Sequence, residues 1–280
     1  MKPVILYRTD RPYMPPEELG IALKHFECFN SRMLIQKDQT VIARYCVDIY
    51  SELYRDVQLA GSRLINNVTQ EAFVSDMQNW VPVLGDLTPM TWDRLECVPG
   101  KLDDPQPLIL KGQTNSIKAF WKTHMYAPNK RAACEVYNRL CQDGRVGDQK
   151  IFIRKFIPLK QYPIQDISGI PVTKEIRIFV LDGEPLCGGF YWANHVDEMI
   201  GGHPDEMVIP TLESVPKPFL QEVLKRIGDQ CRFYVVDVAE TQSGDWIVIE
   251  LNSGQQSGLS CVNPDELYGA LAGRLSVVSI

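Results

Sequence analysis

The sequence predicts an α+β protein that opens with a small α/β domain and continues in hairpin-rich α+β units. Three observations lead there. Over the first ninety or so residues, short strand-like runs alternate with stretches of helical period, the mark of a mainly parallel sheet. A proline-punctuated stretch, 82–107, then marks a boundary near residues 95–105. Beyond it, strands come as antiparallel pairs: Asp182-Gly183 separates 175–181 from 185–192, and a polar segment holding Ser243-Gly244 separates 233–239 from 246–252. At 280 residues and 31.8 kDa the chain is long enough for two or three subdomains with real cores.

In order, residues 4–7 read as a strand, and Pro16 opens a helix carrying Leu19, Leu23 and Phe26 on one face. Residues 40–43 form the next strand, followed by a helix with Ile49, Leu53 and Val57 in register. Leu64-Ile65 is a third, short strand. Thr69 caps a helix in which Phe73, Met77 and Trp80 recur at helical spacing. Arg44 and Asn66 end strands where ligands collect in open α/β sheets, which makes them substrate candidates. Residues 108–110 are a buried strand, 129–141 a helix with Ala132, Val136 and Leu140 in line, and 150–159 a strand apolar on both faces apart from Arg154 and Lys155. Leu220, Val223, Leu224 and Ile227 line a helix, and Asn263-Pro264 caps a last one bearing Leu267, Leu271 and Leu275.

The net charge is −6, the pI is near 5.3, and no Lys/Arg block stands out, which argues against non-specific binding to nucleic acid or an anionic membrane. Eight cysteines are scattered without a C-x-x-C pair, so a reduced chain is expected rather than a disulfide framework or zinc site. The N-terminal apolar run is too short for a signal peptide and no segment reaches membrane-spanning length, so the expectation is a soluble, cytoplasmic protein. His195 and His203 lack metal spacing and read as surface residues of a loop.

The chemistry concentrates in 231–260. Strand alternation puts Glu250 and Asn252 on one face, with Ile247, Ile249 and Leu251 on the other. Asp237 joins Glu250 and Asn252 if the connecting loop holds an even number of residues, and a two-residue Ser243-Gly244 turn places it directly across from Glu250. Two carboxylates and an amide oxygen suit Mg²⁺, a hard ion that takes oxygen ligands; a solvated polar face is the alternative. Lys111 emerges from a strand into the polar loop 112–118, where a mobile point charge suits phosphate oxygens, with Lys118 a weaker candidate. No G-x-x-x-x-G-K-[ST] or K-x-D-G motif is present. Glu175, Arg177 and Phe179 share a face of their strand, where Arg177 can grip a phosphate or pair with a carboxylate. There is no convincing Ser-His or Cys-His pair.

An acidic residue on one strand and Glu-x-Asn on the next, preceded in order by Lys111, the 150–159 strand and Glu175-x-Arg177, resembles the ATP-grasp superfamily. Lys111 with Arg154 and Arg177 resembles, within it, the clade named for two Arg and one Lys, found in phages and bacteria. The resemblance implies an ATP-grasp fold: a pre-ATP-grasp domain at 1–100, a first lobe at 101–157 and a second at 158–280. It implies Asp237, Glu250 and Asn252 as Mg²⁺ ligands, Lys111 and Arg177 as catalytic groups at the phosphates, and Glu175 near the ribose. Lys155, Phe156 and Ile157 become the hinge against adenine, with the Lys155 carbonyl and the Ile157 amide on its edge. Arg154 also stands in the nucleotide site, where relatives often have an acidic residue. After Asn252 comes Ser253-Gly254-Gln255-Gln256-Ser257-Gly258, unlike well-known ligases, so substrate placement does not transfer. The implied activity is ATP- and Mg²⁺-dependent ligation of a small-molecule or peptide carboxylate to an amine through an acyl phosphate. A phosphotransferase and a non-catalytic ATP-binding module are the alternatives.

Overall fold

The computed structural model describes residues 2–8, 14–167, 169–193, 195–196 and 208–277. They build three four-stranded sheets. The first is parallel and joins β1 (Lys2–Leu6), β2 (Glu27–Phe29), β3 (Gln39–Ala43) and β4 (Arg63–Leu64) in the order β2-β1-β3-β4. The alternation of strands and helices foretells this sheet, except for β2, whose three residues are too few to show a period.

Its helices are α1 (Pro16–His25) and α2 (Tyr50–Leu59). On α2, Leu53 and Val57 are buried, while Ile49 precedes the helix and is exposed. On α1 the face differs from the expected one. Leu23 is exposed, and Ala22 and Glu18 turn inward because the Glu18 carboxylate pairs with buried Arg44. Asn67, not Thr69, caps α3 (Val68–Ser75): its side chain accepts from the Gln70 amide while the Gln70 side chain accepts from the Asn67 amide. The row Phe73, Met77, Trp80 crosses into a second helix, α4 (Met77–Leu84), capped by Asp76.

The second sheet is antiparallel, in the order β5-β8-β6-β7: β5 (Thr91–Trp92), β6 (Leu108–Gly112), β7 (Tyr126–Ala127) and β8 (Ile151–Lys155). β5 therefore belongs to this sheet although it precedes the proline-marked boundary. The short helix α5 (Trp121–His124) precedes β7. One face packs Leu108, Leu110, Ile151 and Ile153 on Ala133, Val136 and Leu140 of α6 (Lys130–Gln142). Alternation leaves Ile109, Lys111, Phe152 and Arg154 on the other face.

The third sheet runs β10-β9-β11-β12, all antiparallel: β9 (Glu175–Leu181), β10 (Glu184–Phe190), β11 (Phe233–Glu240) and β12 (Trp246–Ser253). Asp182 and Gly183 both take positive φ, 51° and 76°, as a two-residue hairpin turn between right-twisted strands requires. Phe73, Met77 and Trp80, with Leu220, Val223 and Ile227 of α7 (Lys217–Ile227), cover one face through Ile176, Ile178, Val236 and Val248. The other face, with Phe179, Leu181 and Phe233, meets Leu267, Leu271 and Leu275 of α8 (Pro264–Val277) and Ile5 and Ile42 of the first sheet. Burial on both faces explains why β9 and β11 read as nearly continuous apolar runs.

Among the described residues no disulfide joins two cysteines. His195 is exposed and lies beside the Trp192 ring, whereas His203 lies outside the described residues. Among the described residues no helix is long and apolar enough to cross a membrane.

Candidate active site

The free face of the second sheet and one end of the third enclose a cleft of about 150 Å³. β6 and β8 supply Ile109, Lys111, Arg154 and Lys155, and the chain leaving β8 adds Phe156 and Ile157. Glu175 and Trp192 stand opposite, and Ile247, Ile249 and Glu250 of β12 close one end. Trp121, Met125, Ile170 and Pro171 complete an apolar slot. At the hinge the Lys155 amide donates to the Met90 carbonyl (2.8 Å) and the Phe156 amide to the Pro107 carbonyl (3.0 Å). Among the described residues the Ile157 amide has no acceptor.

Asp237 stands opposite Glu250, but not through a two-residue turn. The loop between β11 and β12 is 241–245, with Gly244 at φ 91°, and it sets Glu240 against Trp246 and Val238 against Val248. An odd loop would leave Asp237 facing Ile249. The register shifts between Asp237 and Val238, one extra residue being accommodated on β12, and this bulge brings Glu250 across from Asp237. It also overturns the expected faces. Ile247 and Ile249 line the cleft together with Glu250, while Val248 and Leu251 enter the core.

Four cationic side chains and three carboxylates meet around this hairpin. Lys111 is buried and pairs with Glu250. Burial alone would raise the Glu250 carboxyl, but the Lys111 and Lys118 ammonium groups, with the Arg154 guanidinium, hold it down at about 2. For Lys111 burial wins, and its pKa falls below the usual lysine value despite Glu250.

Arg177 does not line the cleft. It turns to the residue opposite it in register, Asp237, and binds both carboxylate oxygens (2.9 and 2.8 Å). That contact outweighs the burial that would otherwise lower its pKa. Asn252 Nδ2 is 3.4 Å from the same carboxylate, and Arg177 Nη1 donates to the Gly258 carbonyl (3.0 Å). Lys118 donates to the Tyr191 hydroxyl, and the Tyr191 ring has the Lys118 ammonium 4.5 Å and the Arg177 guanidinium 4.9 Å from its centroid. Buried Glu175 accepts from Trp192 Nε1 (2.9 Å) and the Thr173 hydroxyl, and burial raises its pKa. Arg154 donates to the Ile249 carbonyl (2.8 Å) and the Thr88 hydroxyl (2.7 Å), its buried Nε has no hydrogen-bond partner among the described residues, and burial brings its pKa to about 10.

Lys111, Arg154, Lys155, Phe156, Ile157, Glu175 and Glu250 therefore share one cleft, whereas Arg177, Asp237 and Asn252 stand outside its lining, on strands beside it. Among the described residues no group of three His, Cys, Asp or Glu could hold a metal ion. The oxygens that could hold a hard cation here are those of the two facing carboxylates and the Asn252 amide, the all-oxygen kind of set that Mg²⁺ takes.

A search of curated proteins found no match. The profile of the ATP-grasp domain, R2K clade family 3, matches residues 100–271. The chain belongs to this ATP-grasp family. Its fold is shared by solved structures of low identity. The ATP-grasp ligase PsnB, complexed with a minimal precursor, Mg and ADP, is 12% identical, with 98% of each chain covered and a TM-score of 0.61. The D-alanine–D-alanine ligase of Bacillus anthracis complexed with ATP is 13% identical over 100% of both chains (TM-score 0.60). A Chryseobacterium gregarium RiPP-associated ATP-grasp ligase, in complex with ADP and a leader and core peptide, is 11% identical over 100% of this chain and 98% of that one (TM-score 0.62).

In this ATP-grasp chain the two expected substrate residues of the first sheet are structural. Arg44 is 1% exposed and spends its guanidinium on Glu18, Tyr268 and the carbonyls of Gly254, Gln255 and Ser257. Asn66 is fully buried and clasps the Phe233 backbone, accepting from its amide (2.9 Å) and donating to its carbonyl (2.8 Å). The departure after Asn252 is explained too: Gln255 and Gln256 bind the Ala43 and Val47 amides, so 253–258 docks the first sheet. Reading by motif missed Tyr191, Trp192, Thr173 and Thr88. Only the Asp182-Gly183 turn signals any of them, because it fixes where β10 ends and delivers Tyr191 and Trp192.

Proposed function

We propose that the chain is an ATP- and Mg²⁺-dependent ligase that joins a carboxylate to an amine through an acyl phosphate. The observation that carries this reading is a single cleft in which an apolar slot with an unpaired hinge amide leads to Lys111, paired with Glu250 directly across from Asp237. The slot suits a flat base whose edge meets the Ile157 amide, and the charged end suits phosphates and their cation. The PsnB and Chryseobacterium structures, with precursor or leader and core peptides, support a peptide-like substrate.

On this reading Asp237, Glu250 and Asn252 would hold Mg²⁺, which would supply positive charge to neutralise the phosphates. Lys111 and Arg177 give up Glu250 and Asp237 and present their charge to the transferring phosphoryl group. Arg154 and Glu175 border the nucleotide, and Phe156 flanks its base. A carboxylate is a poor electrophile; phosphorylation makes it one, and the cleft excludes water while an amine attacks. Positioning and charge neutralisation suffice, with no protein nucleophile.

The test is product analysis over a panel of peptides and amino acids. Release of ADP and phosphate, with hydroxylamine trapping the activated carboxylate as a hydroxamate, supports the ligase. A stable phosphorylated alcohol without free phosphate would make it a phosphotransferase, and tight ATP binding without ADP from any acceptor a binding module.

A further inference from the structure

By register alone, β12 should not offer Glu250 to the cleft. The 241–245 loop sets Val238 opposite Val248, and a regular ladder from there would place Ile249 across from Asp237 and turn Glu250 into the core beside Val248. The extra residue at Ile249 prevents this, yet a bulge disrupts its ladder locally, and among the described residues β12 is an edge strand with no neighbouring strand outside it. Two side chains take the place of that neighbour. The Thr88 hydroxyl donates to the Val248 carbonyl (2.8 Å), and Arg154 Nη1 donates to the Ile249 carbonyl (2.8 Å). Arg154 Nη2 donates to the Thr88 oxygen (2.7 Å), so the two form one unit. Successive carbonyls of a regular strand point opposite ways, and one hydrogen-bonded pair reaches both only where the strand departs from alternation. Thr88 and Arg154 are 5% and 6% exposed, so water does not compete for these bonds.

We propose that Arg154 and Thr88 are positioning residues that pin the bulge at Ile249 and thereby hold Glu250 on the Asp237 side of the hairpin. The clamp couples the second sheet, which carries Lys111, to the carboxylates of the third. Its meaning for a cation rests on the metal reading above; its meaning for the register does not.

The test uses the full chain with Thr88→Val, which keeps the shape and removes the hydroxyl, and Thr88→Ser, which retains it. Amide exchange across 246–253 is followed by mass spectrometry, and Mn²⁺ binding in the presence of ADP by electron paramagnetic resonance. Thr88→Val removes both shielded hydrogen bonds of the hydroxyl, to the Val248 carbonyl and from Arg154 Nη2, which amounts to at least about tenfold faster exchange at 248–250 and about tenfold weaker Mn²⁺ binding. Exchange in β9 should stay near wild type, the thermal midpoint should fall by only about 5 °C, and Thr88→Ser should restore both readouts. Wild-type exchange across 246–253 in Thr88→Val overturns the clamp, as does undiminished Mn²⁺ binding in that variant. Wild-type protein that binds no Mn²⁺ with ADP overturns the metal reading instead, and the exchange result alone then decides the clamp.

Discussion

Arg44→Met separates the structural reading of the first sheet from the substrate reading that its place at a strand end invites. The guanidinium donates to the carbonyls of Gly254 (3.0 Å), Gln255 (3.0 Å) and Ser257 (2.8 Å), to the Tyr268 hydroxyl (3.1 Å) and to Glu18 (2.7 Å). Burial alone would lower its pKa, but Tyr268 and Glu18 raise it above the usual arginine value. Methionine fills much of the space and makes none of these bonds. It leaves Glu18, 5% exposed, with only the Tyr268 hydroxyl as donor. Removing one partner of a buried pair costs about 3–5 kcal/mol, and the three orphaned carbonyls keep the figure at its upper end. At roughly 2–4 °C per kcal/mol for a chain of comparable size, the melting midpoint should fall by about 10 °C or more. Urea unfolding followed by tryptophan fluorescence measures the loss. In a double-mutant cycle, Glu18→Gln with Arg44→Met should cost less than the two singles combined, because the glutamine leaves no buried charge. Wild-type stability in Arg44→Met together with lost acceptor binding would refute the argument and return Arg44 to the substrate.

Two further outcomes follow from the charged end of the cleft. Lys111→Ala should weaken ATP binding at least tenfold by calorimetry, about what a charge-assisted hydrogen bond contributes; an unchanged affinity removes the lysine from the phosphates. Glu250 is held at about 2 against an ordinary value of 4.5, so the folded state resists its protonation. Its contribution is fully present above 4.5 and is lost as pH falls toward 2. Glu250→Gln should therefore show a shallower loss of stability over that window, and parallel acid titrations would contradict the pairing with Lys111.

What the sequence shows and hides follows from the range of each interaction. The Asp182-Gly183 hairpin and the helix with Leu220, Val223 and Ile227 are local patterns, and they appear as read. The β11–β12 register is local as well, yet the correct pairing of Asp237 with Glu250 arises from an odd loop plus a bulge, not from the even turn assumed. Nothing in Trp246-Ile247-Val248-Ile249 announces a bulge, since its hydrogen-bond partners, Thr88 and Arg154, come from elsewhere in the chain. Arg44 shows the same limit at greater distance. A strand-end arginine looks the same whether it reaches a ligand or a loop some 210 residues away, and here it reaches the loop. Leu23 misleads because hydrophobicity alone ranks it above Glu18 for burial, until Arg44 supplies the counter-charge.

The distribution of charge across the cleft gives the arrangement its logic. Lys111 and Arg154 project from β6 and β8, and Lys118 from the loop after β6, while Glu175, Asp237 and Glu250 belong to the third sheet. Taking an ion out of water costs several kcal/mol unless a partner compensates it. Lys111 has Glu250 and Arg177 has Asp237, whereas Arg154 has a carbonyl, a hydroxyl and the Trp80 ring, and Lys118 the Tyr191 hydroxyl and ring, the two sharing the attraction of Glu250 with Lys111. The side facing the carboxylates thus carries more positive charge than the carboxylates balance. Glu175 makes the imbalance greater, since burial raises its pKa and works against its negative charge. A polyanion reaching Arg154 and Lys118 would meet this surplus where no carboxylate is paired with it. The Lys111–Glu250 pair spans the second and third sheets, as the Arg154–Ile249 bond does, so a ligand that separates it acts on one of the contacts that join the two walls.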